Sequence, residues 1–359
     1  MNRRHVLLSA SAFLAGALAS VAPVSLAAAA DNEIRVLNWN GYGTDEKFAV
    51  EKFKEMTGIT VIHDYYTSEQ EMLTKMRTSP GAYDVVVVGT PFLPAAREEG
   101  LIEPIDTSKI SNFADVSAQF KDSEIVKVDG QTWGVPWVWG INSYAYNTDA
   151  IKDDLTSINA LWDSKYAGRV SLRDDAILNV QLAAMALGQD MNAPTDMEAI
   201  KAKLLALKPQ VRSFWASEDE WMKGMANKNF DIGEIWAGGA ARAIKKYKLP
   251  VAFVVPEEGA SAWFDVLMLA KDAPNKEGAA KFMDYMISPD FYVTWDTTSG
   301  AAVSANAKAV EGLPPEAFNR AVMGKPEVYS RLKFAVPLTE ERRQELQELW
   351  SEVKTEFVQ

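Results

Sequence analysis

The chain has 359 residues, no Cys, only two His and a formal net charge of −12. An acidic protein with no basic run is a poor partner for nucleic acid or an anionic membrane and suits a neutral or cationic small ligand. Without Cys there is neither a disulfide nor a lipid-bearing cysteine, and His5 and His63 are too few for a His-based triad or a multi-His metal site.

Residues 1–30 read as an export signal peptide. Arg3 and Arg4 open it, an apolar stretch runs from Val6 to Leu26, and Ala28-Ala29-Ala30 supplies the small-residue cleavage motif. Asn2-Arg3-Arg4-His5-Val6-Leu7-Leu8 loosely fits a twin-arginine signal, so the route is Sec or twin-arginine. The product is expected in the periplasm with no membrane anchor. Its net charge becomes −14, since Arg3 and Arg4 are the only Lys, Arg, Asp or Glu side chains removed.

Beyond the signal, short β-rich runs alternate with amphipathic helices, the pattern of an α/β protein. Ile34-Arg35-Val36-Leu37 is a first strand. Ala49, Phe53 and Met56 then mark a helix that Gly58 ends. Thr60-Val61-Ile62 is the next strand, and Met72, Leu73 and Met76 line the next helix. Asp84 to Val88 is a β-branched run suited to a strand buried on both faces, and Gly89-Thr90-Pro91 turns the chain into another helix.

A second block is expected after Trp133 to Gly140. It has strands at 169–172, 231–235 and 251–255, a helix over Ile177 to Leu187, and a strand at 263–269. A helix with Ala279, Phe282, Met283 and Met286 on one face precedes Pro289. The last helix starts near Thr339 and carries Leu346, Leu349, Trp350, Val353 and Phe357 on one side. No linker or repeat interrupts this, and the length after residue 30 suffices for two lobes of roughly 100–200 residues each. Lobe 1 is expected over 31–141 plus 265–306 and lobe 2 over 142–264 plus 307–359. The ligand crevice lies between them, with hinge crossovers near Gly140 and Asp265.

No phosphate-binding loop is present, since Gly41-Tyr42-Gly43 lacks the rest of a dinucleotide fingerprint. Asp174, Asp175 and Asp265 leave a carboxylate-dependent glycosidase or lyase open, although adjacent Asp residues after a strand also serve simply as helix caps. Tyr65-Tyr66 alternates faces if extended, which argues against a ferric site. The eleven Trp are more informative. Trp39, Trp236 and Trp263 stand where strands end, facing the crevice. Aromatic faces combined with Asp265 form a box for an ammonium group, each cation–π contact contributing about 0.5–2 kcal/mol.

Several motifs occur in an order that resembles the spermidine/putrescine-binding proteins of bacterial ABC importers. They are Leu37-Asn38-Trp39-Asn40-Gly41-Tyr42, Gly81-Ala82-Tyr83-Asp84-Val85-Val86-Val87, Tyr166-Ala167-Gly168-Arg169-Val170 with Asp174-Asp175-Ala176, Ile235-Trp236-Ala237-Gly238 and Trp263-Phe264-Asp265. The resemblance implies a two-lobed periplasmic binding protein of type II-like fold that is not an enzyme and needs no cofactor. It implies that Trp39 and Tyr42 wall the ligand from one lobe and Asp175 reaches it from the other. Trp236 stacks on it, Trp263 and Asp265 hold an amine near the hinge, and Thr90 lines the pocket. The implied partners are a small amine and an inner-membrane ABC permease, with the receptor itself a monomer.

The chain departs from that pattern at Leu178, where spermidine binders carry Glu, and at Gly239, where putrescine binders carry Asp. Pro91 replaces a usual aromatic residue and Ala301 a Tyr. Lost acidic groups leave a multiply charged ligand under-neutralised. Arg242, six residues past Trp236, either clamps a ligand carboxylate or lies on the surface beside Lys245 and Lys246. A polyamine and a zwitterion such as 4-aminobutyrate therefore both stay open.

Overall fold

A computed structural model describes residues 32–358, so the export signal lies outside the described residues. Numbering the principal elements in chain order, the first half holds β1 (Glu33–Asn38), α1 (Lys47–Thr57), β2 (Thr60–Tyr65), α2 (Glu69–Thr78) and β3 (Val85–Gly89). Next come β4 (Val135–Asn147), β5 (Val170–Arg173), α3 (Ala176–Ala186), β6 (Val211–Trp215) and α4 (Glu218–Ala226). They are followed by β7 (Ile232–Trp236), α5 (Ala237–Lys245), β8 (Val251–Val254) and β9 (Ala260–Ala270). The chain closes with α6 (Lys276–Met286), α7 (Pro289–Ser299) and α8 (Glu340–Val358).

These strands form one sheet in the order β2-β1-β3-β9-β4-β7-β5-β6, with β8 also on β4. Each end of this path is a parallel triplet, β2-β1-β3 and β7-β5-β6. Between them the two longest strands, β9 and β4, pair antiparallel to each other and to their flanking strands. Parallel strands need helices on their faces, and the C-terminal ends of such strands gather ligand-facing loops. Val85 to Val88 of β3 are fully buried, as a strand covered on both faces requires.

The buried side chains form separate clusters. The largest collects Val36, Val85–Val88, Trp137, Trp139, Phe264, Phe282 and Trp295 around the first triplet. The second packs Val170, Leu172, Leu182, Ile200, Trp350 and Val353, and the third packs Trp215, Trp221, Phe230 and Ile235. Residues 307–334, grouped above with the second lobe, bury Ala309, Val310, Leu313, Met323 and Val328 in the first cluster. From the C-terminal part, α8 joins the second cluster through Leu346, Trp350 and Val353, and Ala335 and Leu338 pack against it. It also touches the first half, where the Arg343 guanidinium lies 5.6 Å from the Phe92 ring centre.

Two local expectations change. No break in secondary structure follows Gly140, because Val135–Asn147 is one continuous strand. Its Pro136 sits beside a bulge, where the pairing jumps from Asp265↔Val138 to Val266↔Pro136 and leaves Trp137 as the extra residue. Met56 is 59% exposed rather than core, while Ala49 and Phe53 of the same helix are buried. Pro289 lies past the end of α6 as expected, and it also opens α7 at the first turn, where its missing N–H costs nothing.

Gly43 illustrates how tightly the first half is packed. Its φ is +78°, and a Cβ there would lie 2.6 Å from the Trp295 ring. Gly58, the cap of α1, has a similar φ of +76° but open space around it. Gly58→Ala should therefore cost only the left-handed backbone strain, about 1 kcal/mol. Gly43→Ala should cost at least about 1 kcal/mol more, because Trp295 must also move. Urea denaturation of the two variants checks this, and equal losses would contradict the packing argument.

Candidate functional site

The site starts from a buried amide. Asn38, at the end of β1, is fully buried and donates from Nδ2 to Tyr42 O at 3.1 Å and to Thr44 Oγ1 at 2.8 Å, while its Oδ1 accepts from Trp39 N at 2.7 Å. These bonds, with Gly41 and Gly43 at positive φ, fix the loop that carries Trp39 and Tyr42. The Trp39 ring centre lies 4.5 Å from Tyr66, and Tyr42 meets Trp137 edge-on at 5.3 Å.

Tyr42 donates its hydroxyl proton to Asp265 Oδ2 at 2.7 Å. Asp265 pairs with Gly89 across the sheet and stands next to the bulge in β4. Burial raises its pKa to about 7, against the lowering effect of the Tyr42 hydrogen bond and reinforced by nearby Glu69. Burial also raises Tyr42, and Asp265 adds to it. Glu69 begins α2, and its own pKa is raised by burial, with the Gly89 N–H working in the opposite direction. Glu69 Oε1 and Asp265 Oδ1 are the first two atoms a Cβ on Gly89 would meet, at 3.2 and 3.6 Å, so the two carboxyl groups flank that glycine. Thr90 follows, 2% exposed, as the first residue of a short turn.

Trp263, on β9, packs against β4. A Cβ on its cross-strand partner Gly140 would come within 2.7 Å of the indole, so only glycine admits this pose. Trp236 ends β7 and half-buries its ring against Trp215, with centres 5.6 Å apart. Over both rings lies Arg173, the last residue of β5, its guanidinium carbon 5.2 Å from the Trp236 centre and 5.9 Å from that of Trp215.

Asp175 is half-buried, and its Oδ1 caps α3 by accepting from Leu178 N at 3.1 Å. Its Oδ2 is 3.8 Å from Arg173. Asp174, expected above as a cap or an acid, instead accepts from Trp350 Nε1 at 2.9 Å and from Lys354 at 2.8 Å. Beneath them Glu234 is 3% exposed, accepts from Arg173 N at 2.9 Å, and is pushed by burial to a pKa of about 7.

Arg242 is not on the surface. A cavity of about 320 Å³ brings it together with Trp39, Tyr42, Glu218, Lys246 and Trp295. Its Nε donates to Glu218 Oε1 at 2.6 Å and its Nη2 to the other Glu218 oxygen, so the expected clamp already holds a carboxylate of the protein. A larger cavity, about 790 Å³, lies elsewhere, between α1 and the α6–α7 turn, and touches none of the expected site residues. Among the described residues no group of three or more His, Asp or Glu is arranged to hold a metal.

Against known proteins, a model of the family described as bacterial extracellular solute-binding protein matches residues 49–322. The chain belongs to this family. This solute-binding protein is 34% identical over 312 residues to the spermidine/putrescine-binding periplasmic protein of Salmonella typhimurium, covering 85% of this chain and 86% of that one. It is 28% identical over 352 residues to the putrescine-binding periplasmic protein PotF of Escherichia coli, covering 87% and 90%. Its fold matches the substrate-binding protein PotD of Streptococcus pneumoniae with a TM-score of 0.82 at 23% identity, covering 91% and 99%. The relatives are binding proteins of transporters, and the fold is the two-lobed α/β architecture expected from the sequence.

Reasoning from sequence selected Trp39, Tyr42, Thr90, Asp175, Trp236, Arg242, Trp263 and Asp265; the structure sets Glu69, Tyr66, Arg173 and Glu218 beside them. Arg173 satisfies the same strand-end criterion that singled out the tryptophans. Glu69 opens a helix, which reads as ordinary first-turn charge.

The raised Asp265 pKa makes stability depend on pH. The folded, unliganded state keeps a proton that the unfolded chain loses above the ordinary value of 3.8. Its stabilising contribution is therefore complete below pH 3.8 and is lost as pH rises through about 7. Asp265→Asn stays neutral throughout. The variant without ligand should match the wild type in stability near pH 3.5 and exceed it from pH 7 upward, by on the order of 4 kcal/mol. Scanning calorimetry across that range measures the gap, and a gap independent of pH would contradict the assignment.

Proposed function

We propose that this solute-binding protein is the periplasmic receptor of an ABC importer and that its ligand is a small amine of the polyamine class. One observation carries the reading: Asp265, oriented by Tyr42 and flanked by Glu69, is a carboxylate with no cation beside it among the described residues, in a setting of Trp and Tyr rings. An ammonium group entering there replaces the proton that burial favours, and its charge is matched without water. The names of the relatives support the ligand class, and Glu69 restores one of the acidic groups missing at Leu178 and Gly239.

In this reading the protein makes and breaks no covalent bond and uses no cofactor. It binds as a monomer and closes by rotation of the two halves about β4 and β9 near Gly140 and Asp265. One lobe is built from 31–141 with 265–306 and the other around 142–264, with the C-terminal part divided between the two cores. Closing creates the surface that an inner-membrane permease recognises. Among the described residues no helix is long and apolar enough to cross a membrane, which agrees with a receptor that works beside its permease.

Calorimetric titration with putrescine and spermidine tests this. The wild type should bind at least one of them, and affinity should rise about tenfold per pH unit up to pH 7 as Asp265 loses its proton. Asp265→Asn should weaken binding by about 3–5 kcal/mol, more than a hundredfold, because the ammonium group is then desolvated without a counter-charge. Small-angle scattering should show a more compact particle at saturation. Affinity retained within a few-fold in Asp265→Asn, or a profile unchanged by ligand, would overturn the reading.

A further inference from the structure

The two sides of the cleft carry opposite electrostatic characters. On the side of the first triplet, Asp265 and Glu69 present two carboxyl groups around Gly89. On the other side, Asp175 spends one oxygen on the α3 cap and has Arg173 near the second, and Glu218 is taken up by Arg242. Glu234 is buried under Arg173 and accepts its backbone N–H. Among these carboxylates of the second side, Asp175 keeps an oxygen with no hydrogen bond to a described residue, and Arg173 lies 3.8 Å from it, so a second ammonium group there would meet a cation as well.

That side does have a cation with unused hydrogen-bonding capacity. The Arg173 side chain stacks on Trp236 and Trp215, keeps 34% of its surface open, and donates no hydrogen bond to any described residue. Its only charged neighbour within 4 Å among the described residues is Asp175, at 3.8 Å, beyond hydrogen-bond distance. A guanidinium set over two indole rings and partly open to solvent has a planar N–H fork able to receive a carboxylate bidentately.

We propose that Arg173 is the specificity determinant for the far end of the ligand and anchors a carboxylate there, so that this site also takes ω-amino acids, with the ammonium at Asp265 and the carboxylate at Arg173. The proposal rests on the reading of Asp265 as the ammonium site and adds a second ligand class to it. Arg242, the other candidate for this role, already holds Glu218 by two hydrogen bonds. An Arg173 that merely supported the tryptophan pair would affect all ligands alike, whereas an anchor discriminates by charge at one end.

The test compares chains of matched length: 4-aminobutyrate, 5-aminopentanoate and 6-aminohexanoate against putrescine and cadaverine, titrated into wild type, Arg173→Thr and Arg173→Lys. Wild type should bind at least one of the amino acids. Arg173→Thr should weaken that amino acid about 10- to 100-fold while binding the diamines more tightly, because a repelling charge has gone. Arg173→Lys should fall between, keeping the charge but losing the fork. Thermal melts of each variant without ligand show whether it is folded. Diamine binding with none of the three amino acids bound, or an equal loss of both ligand types in Arg173→Thr, overturns the role of Arg173 and leaves the amine receptor standing. If neither class binds the wild type, the amine reading fails as well.

Discussion

Keeping a carboxyl group out of water at the middle of a sheet is unfavourable unless its surroundings are arranged for it, and Asp265 sets that requirement here. The bulge at Trp137, the Tyr42 hydroxyl and the open face of Gly89 all converge on this one side chain. Each of these depends on something further out. Tyr42 is held by the Asn38 amide, and Trp137 stacks within 9° of parallel on Trp295, which in turn requires Gly43 to lack a side chain. Much of the first core can thus be read as scaffolding that makes an unfavourable group tolerable until a cation arrives.

The second half follows a different logic. There the charged groups near the cleft are already balanced within the protein, Arg242 by Glu218 and Asp174 by Lys354. Burial of Glu234 favours its neutral form. What remains facing outward is aromatic surface with one guanidinium laid on it. One half thus carries unpaired carboxyl groups and the other aromatic surface.

The fold was legible because period and composition both point the same way: Val85 to Val88 cannot be other than a covered strand, and Phe282, Met283 and Met286 share one helical face. The candidate site was drawn from aromatic residues that follow strands, as at Trp39, Trp236 and Trp263. It was not legible where meaning lies in pairing across the fold. Glu218 precedes Arg242 by 24 positions and looks like a first-turn acid; only the packing of α4 beside α5 makes it the partner. The strand β4 was not assigned from the sequence; in it Pro136 is accommodated at a bulge and Gly140 makes room for an indole, both decided by the partner strand. The end of the first core was misjudged for a similar reason, since nothing local in 307–334 states which half it covers.

The C-terminal helix touches both halves. Arg343, near its start, rests on Phe92 of the first half, and Lys354 and Trp350, near its end, bind Asp174 of the second. From Arg343 to Lys354 a helix spans roughly 16 Å at 1.5 Å per residue, a length it cannot stretch. It is therefore a rigid strut fastened at both ends, one on each half. At the first-half end Arg343 lies over Phe92 and attracts Glu69, and at the other end Trp350 and Lys354 bind Asp174, so one inextensible helix ties a neighbour of Asp265 to the second half.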